Sequence, residues 1–459
     1  MQRPSVEIDS FDKYMWSIIA GLIVSIGVLT VFGDQVGLEV QSVSPMVSAT
    51  DVSIIDDIRI QFDQPMDRSS VQGLFSIDPN IKGAFRWNNE TLIFDPQIPL
   101  QSNHVYTVTL QAGAKSVAGR ELKESYRWQF LTKQPTIYFL SPYSGFDRRL
   151  WAVSLADGIP REIYTADYGI FDFQPSPDGT QLALTVYGQE NRTADIWLIN
   201  ADGSNPRQLT NCPPGACSRP VWSPDGRYIA YENQPHIERN ILGPPRIWLL
   251  DLTTGDNNPV FADDQILGYG VRWSPDGRHL SFYDAAVNSI RILNLTTQNV
   301  HIIETQQSEY WTFSLDSDAL IYTNSRRESQ FFYTELWRAD LVSDNIRPLF
   351  ETTEEDQAPI WSPDGRWIAF ARRIIDPQFE STWQLMLYDT VSGDIRRITD
   401  DERYSNLSYI WHPSGEMLLV HRFDRESNYP TAEIWFYDMA TEELNLFAQD
   451  ASDAAWGDY

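Results

Sequence analysis

One eleven-residue phrase occurs three times in this chain with little variation. It reads VWSPDGRYIAY at 221–231, RWSPDGRHLSF at 272–282 and IWSPDGRWIAF at 360–370. Pro, Asp and Gly in succession favour a tight turn, because Pro presets φ, Asp can bond to its own backbone and Gly accepts a left-handed conformation. Apolar and aromatic residues alternate on both sides of the turn, with the period of a strand. The phrase therefore predicts a β-hairpin.

The hairpin recurs along residues 136–459 at intervals of 40 to 51 residues. A period of that length predicts four-stranded units stacked into a β-propeller. We assign a structural role to the residues that mark the repeat. They are Asp178, Asp225, Asp276 and Asp364 in the turns, with Trp222, Trp273, Trp361, Trp411 and Trp456 at the strand ends; Asp316 and Ser414 take the aspartate position in two divergent copies.

The two ends of this region predict how the ring closes. Residues 136–164 supply three strands with no preceding WSPDG strand, and residues 453–457, DAAWG, supply one strand more. The last strand is therefore expected to complete the first blade, which gives seven blades, with six as the alternative. Such closure removes exposed sheet edges.

The tandem WSPDGRxIAF phrase resembles the repeat of the TolB-like propeller family throughout residues 136–459. The resemblance implies a propeller fold. It implies little about activity, because this repeat occurs in envelope binding proteins, in the non-catalytic propellers of serine peptidases and in some polysaccharide lyases.

Residues 38–133 alternate in short strands such as IRIQF, TLIFD and YRWQF, which predicts a β-sandwich. This segment resembles the bacterial Ig-like domain of the SbsA type, and the resemblance implies a spacer or adhesive module without chemistry of its own. The residues that carry it are Phe62, Pro65, Met66, Phe75, Trp87, Leu92, Phe94, Tyr106, Gly119, Trp128 and Phe130.

Residues 15–33, MWSIIAGLIVSIGVLTVFG, contain no charged residue. A helix of this length, at ~1.5 Å per residue, matches the hydrocarbon core of a bilayer. We therefore predict a transmembrane helix over 15–33 after a cytoplasmic tail over 1–14. Arg3 and Lys13 precede it, so the positive-inside rule places the bulk of a single-pass cell-membrane protein outside the cytoplasm. A cleaved signal peptide is the alternative.

The net charge and the cysteines bear on the class of partner and on the cellular compartment. A net charge of −28 argues against a nucleic-acid partner, because a phosphate backbone needs a basic surface. The only cysteines, Cys212 and Cys217, lie in NCPPGACS, where they form either a disulfide in an oxidising compartment or two free thiols.

Motifs that signal catalysis are missing from the sequence. There is no GxSxG nucleophile elbow, no HExxH and no GxxxxGK. The acidic clusters at 354–356 and 400–402 fall in predicted loops, where a solvated surface is favoured and Ca²⁺ binding is the minor alternative. We expect no catalytic residues, no metal site and no cofactor.

Candidate ligand contacts lie three residues before the Trp position of each inner strand. These positions hold small or polar residues, unlike their apolar neighbours, and are expected to face the central channel. We predict ligand binding at the channel mouth by Asp172, Arg219, Tyr310 and Asp453. A channel that is only filled with water is the alternative.

Together these patterns predict an all-β, membrane-anchored protein of the cell envelope without catalytic activity. Its propeller would bind or scaffold an envelope protein or a surface glycan, and its N-terminal helix would contact the membrane. The alternative is a polysaccharide lyase or hydrolase that acts at the channel mouth.

Overall fold

The computed structural model describes residues 10–33, 38–189, 193–238, 241–307, 310–328, 330–376, 379–426 and 431–457. They divide into two compact units: one comprises Met1–Val52, Asp56–Gln97 and His104–Leu131, and the other Ser53–Ile55, Ile98–Asn103 and Thr132–Tyr459. Residues 1–9 of the expected cytoplasmic tail lie outside the described residues.

The N-terminal helix α1 spans Ser10–Gly33, as the apolar run predicts. Within the described residues, however, the structure contains no helix with the length and apolarity needed to cross a bilayer. The prediction of a helix is confirmed, whereas its assignment as a transmembrane span over 15–33 is not supported.

The first unit contains a two-sheet sandwich. One sheet has the order β1-β2-β5-β4 and the other β3-β6-β7. Inward-facing residues alternate with exposed ones, as in β2, where Ile58, Ile60 and Phe62 are buried. The elements are β1 (Val40–Ser44), β2 (Ile58–Phe62), α2 (Arg68–Leu74), β3 (Phe75–Asp78), β4 (Gly83–Asn88), β5 (Thr91–Pro96), β6 (Val105–Leu110) and β7 (Tyr126–Leu131).

The short helix α2 was not predicted. It begins after Asp67, whose carboxylate accepts hydrogen bonds from the backbone N–H groups of Ser69 and Ser70. Asp is a favoured N-cap residue because it satisfies amides that have no partner inside the helix. With a single buried residue, Val71, the helix is too short to show an apolar period.

The second unit, which we call the repeat domain, contains antiparallel groups of four strands, which we number 1 to 7 along the chain. A parallel bridge between Ala194 and Ala216 also joins groups 2 and 3 into one sheet. The first three strands of group 1 are β8 (Thr136–Ser141), β9 (Arg149–Ser154) and β10 (Arg161–Tyr164). Group 2 contains β11 (Ile170–Pro175), β12 (Gln181–Tyr187), β13 (Ala194–Asn200) and β14 (Arg207–Gln208). Group 3 contains β15 (Ala216–Trp222), β16 (Tyr228–Gln234), β19 (Arg246–Asp251) and β20 (Asn257–Pro259), and an added hairpin of β17 (His236–Glu238) and β18 (Ile241–Leu242).

Groups 4 to 7 repeat this order. Group 4 contains β21 (Tyr269–Trp273), β22 (His279–Asp284), β23 (Ser289–Asn294) and β24 (Val300–Glu304). Group 5 contains β25 (Trp311–Phe313), β26 (Ala319–Glu328), β27 (Phe331–Asp340) and β28 (Asn345–Pro348). Group 6 contains β29 (Glu355–Trp361), β30 (Trp367–Arg373), β33 (Gln384–Asp389) and β34 (Ile395–Arg397), with a hairpin of β31 (Ile375–Asp376) and β32 (Phe379–Glu380). Group 7 contains β35 (Tyr404–Trp411), β36 (Met417–Asp424), β37 (Ala432–Asp438) and β38 (Leu444–Gln449).

The fourth strand of group 1 comes from a distant part of the chain. β39 (Ser452–Trp456) pairs antiparallel with β8, so that Trp456 lies opposite Ile137. A buried cluster also joins group 7 to group 1, through residues such as Leu419, Phe139 and Trp456. Similar clusters join each of the other groups to its successor.

The repeated phrase forms the hairpin between the first and second strands of its group, as predicted. In group 3, Trp222 pairs with Ile229 on opposite sides of the turn. Ser223, whose role was not predicted, donates to Asp225 Oδ1 at 2.5 Å and accepts from the Tyr228 N–H at 2.8 Å. The motif is therefore a hydrogen-bonded unit in which Ser is as important as Pro, Asp and Gly.

Candidate functional site: the channel cavity of the repeat domain

The residue three positions before the Trp position interrupts the ladder in several first strands. Arg219, Ala358 and Asp453 have φ values of 56°, 57° and 49°, and Gly270 has 69°. The strand register shifts at each of these places. A bulge of this kind leaves one residue unpaired and redirects its side chain. It therefore turns Arg219 and Asp453 out of the regular pattern.

The bulges are held by side chains of the preceding group. The Arg219 N–H donates to Thr185 Oγ1 at 3.1 Å, and the Ala358 N–H donates to Thr323 Oγ1 at 3.3 Å. At the matching place in group 4, the Gly270 N–H donates to Glu232 Oε1 at 2.8 Å. Each of these acceptors is buried, and each lies at the same position of its second strand. The bulge geometry is thus fixed by contacts between groups.

A cavity of about 450 Å³ opens beside the bulges at Arg219 and Gly270. First strands of groups 2 to 5 contribute to its wall, together with Glu232 from the second strand of group 3. Its polar lining is Gln174, Arg219, Glu232, Arg272 and Thr312, and its aromatic lining is Trp222, Trp273 and Phe313. A concave space with a few convergent polar groups beside aromatic side chains is a common form of binding site.

Three charged residues line this cavity, Arg219, Glu232 and Arg272. The Arg219 side chain, 52% exposed, approaches the buried Glu232 carboxylate to 3.6 Å. Burial raises the pKa of Glu232, while the hydrogen bond from Gly270 and the charge of Arg219 lower it. Because the Arg219 side chain is half exposed and water weakens its ion pair with Glu232, the arginine can exchange this partner for a ligand.

Asp172 lies within the electrostatic range of the same groups. Burial is the main cause that raises its pKa, to about 7, and the negative charges of Asp453 and Glu232 contribute to the rise. A hydrogen bond with Thr185 and the charge of Arg219 act in the opposite direction. Asp172 can therefore change its charge near neutral pH, unlike an ordinary aspartate.

The charge of Asp453 acts on Asp172 across the boundary of groups 1 and 2. Arg148 also joins the two groups, since its guanidinium donates to the Phe171 carbonyl at 2.7 Å and to Ser452 Oγ at 2.6 Å, and also pairs with Asp453. Of the predicted site residues, the structure thus brings Asp172, Arg219 and Asp453 together.

Tyr310 has a different environment. It packs against a buried cluster of groups 6 and 7 that includes Tyr409. Burial raises the pKa of Tyr409, and Tyr310 adds to this rise. Burial lowers the pKa of Arg272, and Tyr310 partly offsets that shift. Tyr310 therefore lies near Arg272, which lines the cavity, and its surroundings differ from those of Asp172.

The sequence comparisons agree with this architecture. Residues 34–132 match the family of bacterial Ig-like domains. The Tol-Pal system protein TolB of Francisella tularensis subsp. holarctica is 23% identical over 240 residues, which cover 51% of this chain and 52% of that protein. Dipeptidyl-peptidase 5 of Porphyromonas gingivalis is 26% identical over 188 residues, 38% of this chain and 26% of that protein. This chain thus spans about half of the first relative and about a quarter of the second.

A solved structure shows the same fold. The puromycin-hydrolysing peptidase of Mycobacterium tuberculosis superimposes with a TM-score of 0.50 at 14% identity, covering 69% of this chain and 54% of that one. The chain has a TolB-like propeller with an N-terminal bacterial Ig-like domain.

Sequence reasoning missed several residues of the propeller site, including Glu232 and Arg148. A signal for Glu232 was present, because aligning the repeats places it in a column with Thr185, Tyr283, Thr323, Ala371 and His421. A charged residue in such a variable column of a repeat is a candidate for function. For Arg148 there was no comparable signal, since it lies in a connection outside the repeated phrase.

Two further predictions concern cysteines and metals. Cys212 and Cys217 form a disulfide, which decides between the two alternatives that the sequence left open. Among the described residues, no group of three or more His, Cys, Asp or Glu side chains is placed to hold a metal ion. The arrangement in the propeller can bind a partner by charge, hydrogen bonds and aromatic contact.

Proposed function

We propose that this protein is a non-catalytic binding or scaffolding protein of the cell envelope, whose propeller captures an envelope protein or surface glycan at the channel cavity. The observation that supports this proposal is the cavity of about 450 Å³, whose wall contains Arg219 and Glu232 beside three aromatic rings. Such a wall offers a partner both ionic and stacking contacts. The proposal requires no metal, cofactor or nucleic acid.

We also propose that the seven groups are the blades of one closed ring. The pairing of β39 with β8 and the cluster between groups 7 and 1 support this arrangement. A closed ring would fix the first strands around the channel, so that the cavity is formed before a partner arrives. Preorganisation of this kind reduces the cost of binding.

An extracytoplasmic location is part of the proposal. The Cys212–Cys217 disulfide supports it, because such bonds persist mainly in oxidising compartments. The match to a bacterial Ig-like domain is consistent with a surface location. The relative named as part of the Tol-Pal system suggests that this chain also works in an assembly of envelope components.

An enzymatic activity is the second candidate function, and the similarity to a dipeptidyl-peptidase supports it. The form retained from the sequence is a polysaccharide lyase or hydrolase acting at the channel mouth. It differs from the binding proposal in one measurable respect, which is that the captured material would be shortened during incubation.

The test is a crosslinking capture with the full chain as bait and an envelope extract from the source cell as prey. Two variants alter the cavity, Arg219→Ala and Glu232→Gln. The matched control is Arg347→Ala, an exposed arginine on β28. Mass spectrometry and glycan sizing quantify what each bait retains.

We expect one component to be crosslinked to the unaltered chain and to the control, and to be reduced at least ~10-fold with the cavity variants, as for loss of one charged contact. Equal recovery with all baits would refute a channel site. Glycan that becomes shorter during incubation would favour the enzyme.

A further inference from the structure

The repeat domain contains a second cavity, with a volume of about 600 Å³. Its wall is formed by residues 101–103 and 134–135, the residue after β9, the hairpin between β35 and β36, and the end of β37 with the turn that follows it. All of these residues belong to the second unit. None of them lines the channel cavity, so variants can test the two cavities separately.

The polar side chains of this wall combine hydrogen-bond donors with acceptors. A carboxamide and a hydroxyl carry both, whereas a carboxylate only accepts. Among the described lining residues there is no Lys, Arg or His. The wall contains the carboxamides of Gln101, Asn103 and Gln134, the carboxylates of Glu416 and Asp438, and the hydroxyl of Ser102.

Both carboxylates are held in place by contacts inside the protein. Glu416 Oε2 accepts from the Ser414 hydroxyl at 2.7 Å. Asp438 Oδ1 accepts from two backbone N–H groups of the following turn, at 2.8 and 2.9 Å. In each carboxylate these bonds use one oxygen and leave the other for a ligand. A ligand therefore meets acceptors that are already oriented, which reduces the cost of binding.

Another part of the wall is apolar. Leu155, Phe436 and Met439 line it, and Leu155 and Phe436 are only partly buried. A pyranose ring has an apolar face of C–H groups and a polar edge of hydroxyl groups. The Phe436 ring suits that face, and the planar polar side chains suit that edge.

The chemistry of the wall argues against several other ligands. An anion would meet two carboxylates with no cation beside them. An ammonium group would satisfy the carboxylates but would offer no acceptor to the carboxamide N–H groups. The described residues also hold no cluster of His, Cys, Asp or Glu for a metal ion. A ligand that donates and accepts at several neighbouring atoms fits this wall best.

We propose that this cavity binds a neutral oligosaccharide, whose hydroxyl groups bond to the carboxamides and carboxylates while one ring packs on Phe436. The inference goes beyond the proposed function, which places capture at the channel cavity, and it does not depend on that site. A neutral peptide is the competing ligand. Its backbone offers one donor and one acceptor per residue, fewer than the adjacent hydroxyls of a sugar ring.

The experiment measures binding to the full chain by ligand-observed NMR titration at neutral pH. The probes are neutral trisaccharides of glucose, galactose, mannose and N-acetylglucosamine, a trisaccharide of uronic acid, and acetyl-Ala-Ala-Ala-amide. The acidic sugar tests the charge argument, and the blocked peptide tests the competing ligand class.

Two variants alter the wall, each with a matched control. Asp438→Asn keeps the oxygen that accepts from the turn and replaces the other oxygen with NH₂. Its control is Asp340→Asn, because Asp340 Oδ1 accepts from the same two turn positions in group 5, at 3.1 and 2.9 Å. Asn103→Gly removes a carboxamide at a φ of 51°, which glycine adopts freely, and its control is Asn205→Gly, an exposed residue with a φ of 53°.

We expect at least one neutral trisaccharide to bind, and to lose affinity about 10-fold in Asp438→Asn and about 3-fold in Asn103→Gly, as for hydrogen bonds to a charged and a neutral group. Both controls should keep the affinity of the unaltered chain. The inference is overturned if no neutral trisaccharide binds, if the acidic sugar or the peptide binds more tightly, or if Asp438→Asn has no effect. A loss of sugar binding in Arg219→Ala instead would place the glycan in the channel, which overturns this inference and supports the proposed function.

Discussion

The junction of groups 2 and 3 and the junction of groups 7 and 1 share one geometry but differ in the side chains that hold it. In both, a buried tryptophan of one group donates its indole N–H to the first strand of the preceding group. Trp222 donates to the Gln174 carbonyl at 3.2 Å, and Trp456 donates to the Ile410 carbonyl at 3.4 Å.

The differences lie around these tryptophans. At the junction of groups 2 and 3, the neutral hydroxyl of Thr185 holds the bulge, and the disulfide joins the preceding connection to β15. At the junction of groups 7 and 1, His421 Nε2 accepts from the Ala454 N–H at 3.1 Å. The ring of His412 meets the ring of Trp456 edge to face, with centroids 4.6 Å apart.

The same backbone geometry is therefore held by different side chains at the two junctions. These side chains respond to different solution conditions. A hydroxyl accepts a hydrogen bond at any ordinary pH, whereas imidazole loses its acceptor when it is protonated. A disulfide responds to reductant and a histidine responds to acid. The two junctions should therefore fail under different conditions.

The largest effect should come from the two tryptophans. Trp456→Ala removes a side chain that is 1% exposed, and Trp222→Ala one that is 6% exposed. Each should lower the free energy of unfolding of the propeller by about 3–5 kcal/mol, as for other buried aromatic truncations. Urea unfolding followed by tryptophan fluorescence measures both. A loss below ~1 kcal/mol for Trp456→Ala alone would show that β39 contributes little to the fold.

Reduction of the disulfide should destabilise the junction of groups 2 and 3 without affecting the junction of groups 7 and 1. The Cys212–Cys217 loop is short, with a sequence separation of 5, so the entropic model gives a loss of about 2 kcal/mol. Hydrogen exchange should increase in β15 and remain unchanged in β39. An equal increase in both strands would mean that the junctions are not independent.

Acid should act on the other junction. Burial lowers the pKa of His421, although the charge of Asp453 partly offsets this. The unfolded chain therefore binds the proton more readily, so stability is complete above the ordinary pKa of histidine and falls as the pH drops below it. We expect a loss on the order of 1 kcal/mol between pH 7 and pH 5.

The variant that tests this is His421→Thr, which copies the residue at Thr185. It should remove the acid-dependent part of the loss, and His301→Thr, on the half-exposed side of β24, should not. Unfolding free energies at the two pH values measure the difference. Identical pH profiles for the unaltered chain and His421→Thr would refute the role of His421.

The smallest effect concerns the hairpins that flank the two junctions. Ser223 makes two hydrogen bonds within its turn. In group 7, His412 takes the position of Ser223 and Ser414 that of Asp225, and the Ser414 hydroxyl bonds to His412 Nδ1 and to Glu416, both at 2.7 Å. Ser223→Ala and Ser414→Ala should each cost about 1 kcal/mol in urea unfolding. If only Ser223→Ala is destabilising, the hairpin of group 7 depends on its histidine instead.

Much of the fold could be predicted because it is encoded over a few residues. The turn and the alternation around Trp222 and Asp225 lie within eleven positions, and their repetition fixes the strand order. The helix α2 escaped prediction because its seven residues show no period, so that only the Asp67 cap marked it. The membrane assignment of α1 rested on the length and composition of the apolar run and on the basic residues before it, and within the described residues the structure does not support it.

The sequence by itself determined the hairpins, the repeat and the sandwich, since turn chemistry and side-chain alternation act between near neighbours. Tertiary structure alone decided that the charge of Asp453 acts on Asp172, that Arg148 joins Phe171 to Asp453 and that the His421 ring accepts a hydrogen bond from Ala454. These contacts join positions that are far apart in the chain. Their energies depend on burial and on charges from several strands at once, which no local pattern records.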